Sequence, residues 1–284
     1  MSRLAWFQVS FFSSSLLHSV PVNVILPDRM GRKAGDKCRT LYLLNGFRGD
    51  HTDWLLNTDV VGWSRQYDCA VVMPSGENSA YMDHAVSGTK YGEYIGRELV
   101  DFTRKSFPLS DKREDTAVAG LSMGGYGALV TALRYPETFG YSLPLSGGFM
   151  GPETIVDKAT EARFRGMYGD PADWGTSIGN PEYLAKKLLG EGRPLPELHI
   201  SCGYNDRLAE SNRKYHDFLN AIGFPHTYEE GPGSHEWAFW RWALPRGLEL
   251  CGWKQPGGQW KNPMWVELRD EQYLAPEWRE KSWR

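Results

Sequence analysis

The chain has 284 residues, with 32 Lys+Arg against 35 Asp+Glu, a net charge of −3, and 41% hydrophobic residues. That balance gives no basic field for a nucleic-acid backbone, and no run reaches the ~18 apolar residues of a membrane span, so both partners are excluded at the outset. The unusual feature is aromatic: 12 Trp beside 14 Tyr and 12 Phe.

Taken in chain order, β-rich apolar runs are repeatedly followed by helical patterns. Trp6–Phe12 alternates and reads as a strand rather than a secretory leader, because Ser10, Ser13, Ser14 and Ser15 break the apolar run and no small-residue cleavage site follows. Val20–Leu26, Thr40–Asn45 and Ala70–Met73 read as the next strands. A helix over Tyr91–Phe107 stops at Pro108, and Thr116–Gly120 follows as a strand. The helix Met123–Tyr135 stops at Pro136 and leads to the strand Tyr141–Ser146. After Leu198–Gly203, the helix Arg207–Ile222 ends at Gly223, His226–Glu230 is a strand, and Trp237–Leu250 is amphipathic. Eight strands alternating with helices predict an α/β fold: a mostly parallel sheet with helices on both faces.

Two stretches break the rhythm. Residues 147–196 are rich in Gly, Pro and Asp and too long for a plain connection, so they are expected to form a lid or pocket wall, packed by Phe149, Phe164, Tyr168, Trp174 and Tyr183. Residues 252–284 carry Trp253, Trp260, Trp265, Trp278 and Trp283 and read as an extension to a body spanning 1–251, packing on that body or on a second copy. Cys38, Cys69, Cys202 and Cys251 form no CxxC pair, and Cys69 and Cys202 lie in apolar strand-like runs as small core residues do, which suits a reduced, cytoplasmic setting.

The sharpest chemical signal is Gly120-Leu-Ser122-Met-Gly124, placed between a strand and a helix. A turn this tight leaves no room for side chains on both flanks, and it holds a serine hydroxyl at a helix N-terminus, where negative charge is favoured. A serine needs a base. Downstream lie His199 inside a strand, His216 mid-helix, His226 at a strand's start and His235 just past a strand; only His235 is placed at the carboxyl edge of the sheet. Asp206, past the strand Leu198–Gly203, is the matching carboxylate. Its plainer reading is a helix cap; Asp170, Asp173 and Asp217 are less well placed. Two backbone N–H groups would complete an oxyanion site, one from Met123 and one from Phe47 in the Gly-rich loop after Thr40–Asn45.

These residues resemble the esterase D/S-formylglutathione hydrolase group of the α/β-hydrolases. Within it they are most similar to small bacterial tributyrin, acetyl-xylan and feruloyl (cinnamoyl) esterases, and more distantly to mycolyltransferases. The resemblance rests on Leu41-Tyr-Leu-Leu-Asn-Gly-Phe with Thr52-Asp-Trp54, Met73-Pro-Ser-Gly-Glu-Asn-Ser-Ala-Tyr81-Met-Asp83, Gly120-Leu-Ser-Met-Gly-Gly, Cys202-Gly-Tyr-Asn-Asp206 and Gly233-Ser-His-Glu-Trp237, and covers roughly Val9 to Cys251. It implies an α/β-hydrolase fold and a carboxylesterase with Ser122 as nucleophile, His235 as base, Asp206 as orienter, and Phe47 and Met123 as oxyanion donors. Asn45 stands where the family usually has His, which alters the loop's hydrogen bonding but not its backbone donor.

The expected reaction is hydrolysis of short acyl or phenolic esters, some carried on carbohydrate, with no cofactor and no metal. His51 with Asp53, and His84 with Asp83, lack ligand spacing and a third partner. Trp54, Tyr81 and Trp237 read equally well as an acyl-pocket wall and as core aromatics. The alternatives are an acyltransferase or thioesterase on the same triad, or a sugar-binding protein with an idle one. A homo-oligomer is left open.

Overall fold

The computed structural model describes residues 4–27, 35–84, 87–149 and 151–253. All eight expected strands form: β1 (Ala5–Ser13), β2 (His18–Leu26), β3 (Arg39–Leu44), β4 (Cys69–Pro74), β5 (Thr116–Leu121), β6 (Tyr141–Leu145), β7 (Glu197–Gly203) and β8 (His226–Gly231). They make one sheet in the order β1-β2-β4-β3-β5-β6-β7-β8. β1 and β2, and β2 and β4, pair antiparallel, while every pair from β4–β3 to β7–β8 is parallel. This is the α/β-hydrolase fold.

Period-two alternation sends successive residues to opposite cores. Leu41 and Leu43 of β3 and Val71 and Met73 of β4 face one cluster; Tyr42 and Leu44, with Ala70 and Val72, face the other. The first is covered by α2 (Val60–Gln66) and α9 (Trp237–Leu250), the second by α4 (Leu99–Ser106) and part of α5 (Met123–Arg134). Both faces of a parallel sheet are thereby sealed.

The structure departs from the sequence reading in five places. Two short helices, α1 (Asp53–Asn57) and α2, follow β3; at five and seven residues they are too short to show a helical period. The expected helix over Tyr91–Phe107 is instead α3 (Tyr91–Glu93), a π-helical turn over Tyr94–Glu98, and α4. Residues 147–196 are largely helical: α6 (Lys158–Tyr168) starts in a reciprocal capping box between Asp157 and Thr160, and α7 (Pro181–Glu191) starts on an Asn180 cap with Pro at its first position. The helix after β7 is α8 (Ala209–Ile222). Trp253, assigned to the extension, is 1% exposed and belongs to the first core, edge-on to Tyr141 at 6.1 Å. Trp260, Trp265, Trp278 and Trp283 lie outside the described residues.

Candidate active site

β5 ends at Leu121 and α5 starts at Met123, so Ser122 alone makes the turn. Its backbone sits at φ 55°, ψ −114°, a region costing on the order of 1–3 kcal/mol for a side-chain-bearing residue. Hydrogen bonds hold it there: the Ser122 N–H donates to the Leu145 carbonyl at 2.9 Å, and its own carbonyl accepts from Tyr126 at 3.1 Å and Gly148 at 3.2 Å. The flanking glycines are required by contact. A Cβ on Gly120 would stand 2.4 Å from the Gly124 carbonyl oxygen, and one on Gly124 would stand 2.6 Å from the carbonyl oxygens of Leu44 and Asn45.

Because β5, β7 and β8 run parallel, the residues after them emerge on one edge of the sheet. There the Ser122 Oγ lies 2.9 Å from His235 Nε2, and His235 Nδ1 lies 2.9 and 3.0 Å from the two carboxylate oxygens of Asp206. Asp206 also accepts from the Leu208 N–H at 2.8 Å, so orienting the histidine and capping the chain toward α8 are done by one carboxylate. Elsewhere His199 bonds Thr227, and His216 bonds His226, away from Ser122.

The electrostatics follow from burial and donors. Burial alone would push the Asp206 carboxyl up. Hydrogen bonds from His235, the Leu208 N–H and Ser146 outweigh it and hold the group below the usual carboxylate range. Ser146 was not anticipated. It is fully buried at the end of β6, between β5 and β7, and has φ 47°. Its Oγ accepts from Trp240 Nε1 at 3.1 Å. An indole N–H can only donate, so the Ser146 oxygen must accept there, leaving its own proton to be shared between Asp206 and the Cys202 thiol, both of whose pKa values it lowers. The Trp240 ring meets His235 edge-on, with centroids 5.2 Å apart. The signal for Ser146 was its position, since it follows a parallel strand as Ser122 and Asp206 nearly do.

Phe47 and Met123 both line the cavity over Ser122, and neither backbone N–H has a partner among the described residues. The loop holding Phe47 is fixed by Asn45. Its Oδ1 accepts from the Gly76 N–H at 2.9 Å, and its Nδ2 donates to the Gly46 carbonyl at 2.9 Å. The Tyr81 hydroxyl stands 2.9 Å from the Asn45 carbonyl oxygen and 3.0 Å from its Oδ1. Tyr81 is therefore a buried brace beneath the loop rather than a pocket wall. Trp54 is likewise core: 1% exposed, it donates from Nε1 to the Leu44 carbonyl and meets Trp237 edge-on. Of the three aromatics considered for substrate, Trp237 alone reaches the cavity.

That cavity holds about 760 Å³. The sheet edge supplies its floor, Trp237 and Trp240 of α9 one side, and Arg163, Met167 and Tyr168 of α6 another. Tyr168 is one of the aromatics expected in a pocket wall over 147–196, whereas Arg163, Met167, Arg48 and Arg207, the last two completing the rim, carry no mark in their local sequence. No three His, Cys, Asp or Glu side chains are grouped to hold a metal ion among the described residues. Asp83 is instead paired with Arg134 at 2.6 Å. No described helix is long and apolar enough to cross a membrane, and all four cysteines are buried, none of them in a disulfide.

Comparison with known proteins agrees with this geometry. The chain is 35% identical over 259 residues to an acetyl esterase of Caldicellulosiruptor saccharolyticus, covering 87% of this chain and 97% of that one. A substrate-bound structure of the fluorophosphonate-binding serine hydrolase FphF of Staphylococcus aureus superimposes with a TM-score of 0.80 at 31% identity, over 87% of this chain and 98% of the other. An S-formylglutathione hydrolase from the same organism matches with a TM-score of 0.78 at 31% identity, over 88% and 99%. The family model for Esterase matches residues 13–250. The chain belongs to the Esterase family and is a serine hydrolase of carboxylic esters.

Proposed function

We propose that Ser122, His235 and Asp206 act as nucleophile, base and orienter in the hydrolysis of short-chain acyl esters through an acyl-enzyme. The observation that carries this reading is the unbroken hydrogen-bonded line from Ser122 Oγ through His235 to Asp206 at the floor of the cavity. In the first step the Ser122 oxygen adds to the ester carbonyl while His235 Nε2 takes its proton, and the oxyanion is held by the Phe47 and Met123 N–H groups. His235 then returns the proton to the departing alkoxide, leaving an acyl-serine. Water, deprotonated by the same imidazole, releases the acid. Asp206 stays ionised throughout and stabilises the imidazolium.

Acetyl and other small acyl groups suit the floor, and the acetyl esterase relative supports them. Trp237, Trp240 and Tyr168 offer aromatic faces for a phenolic acyl or alcohol group, in which case residues 147–196 serve as a pocket wall. Thioesters are the second reading, favoured by the likeness to an S-formylglutathione hydrolase. Four buried cysteines, none of them in a disulfide, support a reducing compartment. The test is turnover of p-nitrophenyl acetate by wild type and Ser122→Ala. A fall of about 10⁴-fold or more in kcat, with circular dichroism unchanged, is expected. Retained turnover overturns the assignment.

A further inference from the structure

Most arginines of the described body are spent on partners. Arg39, Arg97, Arg134, Arg165, Arg193, Arg213 and Arg246 each pair with a carboxylate, and Arg104, Arg113 and Arg241 donate to backbone carbonyls. Arg48, Arg163 and Arg207 differ. Their side chains make no ion pair or hydrogen bond among the described residues, and all three line the cavity over Ser122. They come from three separate elements: the loop after β3, helix α6, and the loop after β7. Phe47 organises two of them. Its ring, 48% exposed, lies 5.7 Å from the Arg48 guanidinium and 5.8 Å from that of Arg163, an arrangement that positions both cations without neutralising either. The same lining contains one carboxylate, Asp53, whose pKa is raised by burial and by the neighbouring Asp50.

Three guanidiniums facing one carboxylate make this cleft positive in a chain whose net charge is −3. A cleft of one sign concentrates ligands of the other, and free guanidiniums bind carboxylates through paired N–H donors. We propose that the preferred substrate is an ester or thioester bearing an anionic group, a carboxylate above all, on its acyl or its leaving portion. Arg48, Arg163 and Arg207 receive that anion while the carbonyl sits at Ser122. The inference rests on the esterase reading and narrows it.

Two matched pairs of substrates test it. Mono-4-nitrophenyl glutarate against 4-nitrophenyl pentanoate places the charge on the acyl side; 4-acetoxyphenylacetate against 4-methylphenyl acetate places it on the leaving side. In at least one pair kcat/KM is expected to favour the anion tenfold or more. That preference should shrink as NaCl rises from 20 to 500 mM and collapse toward unity in Arg163→Gln/Arg207→Gln. The ratio within each variant is the readout, so a general loss of activity does not imitate the effect. Ratios at or below unity in both pairs overturn the inference, as do ratios that the double substitution leaves unchanged. If neutral and anionic esters alike go unhydrolysed, the esterase reading itself falls; if neutral esters turn over through Ser122 without any anion preference, only this inference does.

Discussion

The floor and the outer wall of the cavity are built by different means. The floor is made of strand ends whose polar groups are accounted for: Ser122 strained and pinned, Asp206 taking three donors, Asn45 taking and giving hydrogen bonds, Ser146 fixed by an indole. The α6 wall offers Arg163, exposed and unpaired, the half-buried Met167, and Tyr168, which is held by ring contacts with Phe164, Trp174 and Tyr126. Chemistry that needs sub-ångström placement sits where register and buried hydrogen bonds fix it. Selection, which needs shape and charge, is left to a surface helix whose side chains can change without disturbing the sheet.

That contrast can be broken by experiment. Asp206→Asn removes the acceptor that sets the His235 tautomer, and kcat for p-nitrophenyl acetate should fall about 10³–10⁴-fold with KM little changed; a loss under tenfold would mean the floor tolerates disorder after all. Ser146→Ala deletes one donor to that buried carboxylate. A hydrogen bond to a charged group contributes about 1.5–3 kcal/mol, so a loss of roughly ten- to a hundredfold in kcat is expected, again without a KM change. On the wall the split should reverse: Met167→Ala should raise KM for p-nitrophenyl butyrate a few-fold while kcat for the acetate holds. An equal fall in kcat for both esters would place Met167 in the floor's network.

The smallest expected effect lies far from the site. Glu98 receives the Ser13 hydroxyl and the Ser14 N–H at 2.6 Å each, and the Ser15 N–H at 3.1 Å, tying the β1–β2 turn to the helix before α4. Partial burial raises its carboxyl, but these donors prevail and hold it below its ordinary value. Its folded pKa being the lower one, the folded chain binds fewer protons. The stabilisation is therefore present above the unfolded value near 4.3 and lost as pH falls through the folded one. Between pH 5 and 3 the Tm of Glu98→Gln should fall less steeply than that of wild type, with esterase activity at pH 7 unaltered; parallel Tm curves would refute the assignment.

Much of this was legible from the chain. Strands carry their signal in period-two alternation, and the serine, aspartate and histidine could be paired because each follows a strand and the sheet brings those ends together. What stayed hidden depends on distant contacts. Nothing near Tyr81 says that its hydroxyl will meet Asn45, 36 residues away, and an aromatic beside a catalytic loop reads equally as wall or brace. The capping box at Asp157 and the Asn180-Pro181 start were local helix signals within residues 147–196, outweighed in the reading by that stretch's Gly and Pro content. Arg163 could be placed at the cavity only once α6 was, since a lone surface arginine has no sequence signature.

Trp253 has a practical meaning. It is buried against Tyr141, the first residue of β6, with the Arg39 guanidinium of β3 at 6.0 Å over its ring. These are the amino ends of the strands, whereas Ser122 stands at the carboxyl ends. A strand of six residues such as β5 separates the two edges by about 20 Å. A fluorophore or affinity tether attached just behind Trp253 would thus leave the body on the side turned away from the substrate, whereas a truncation made before it would unseat an indole from the core.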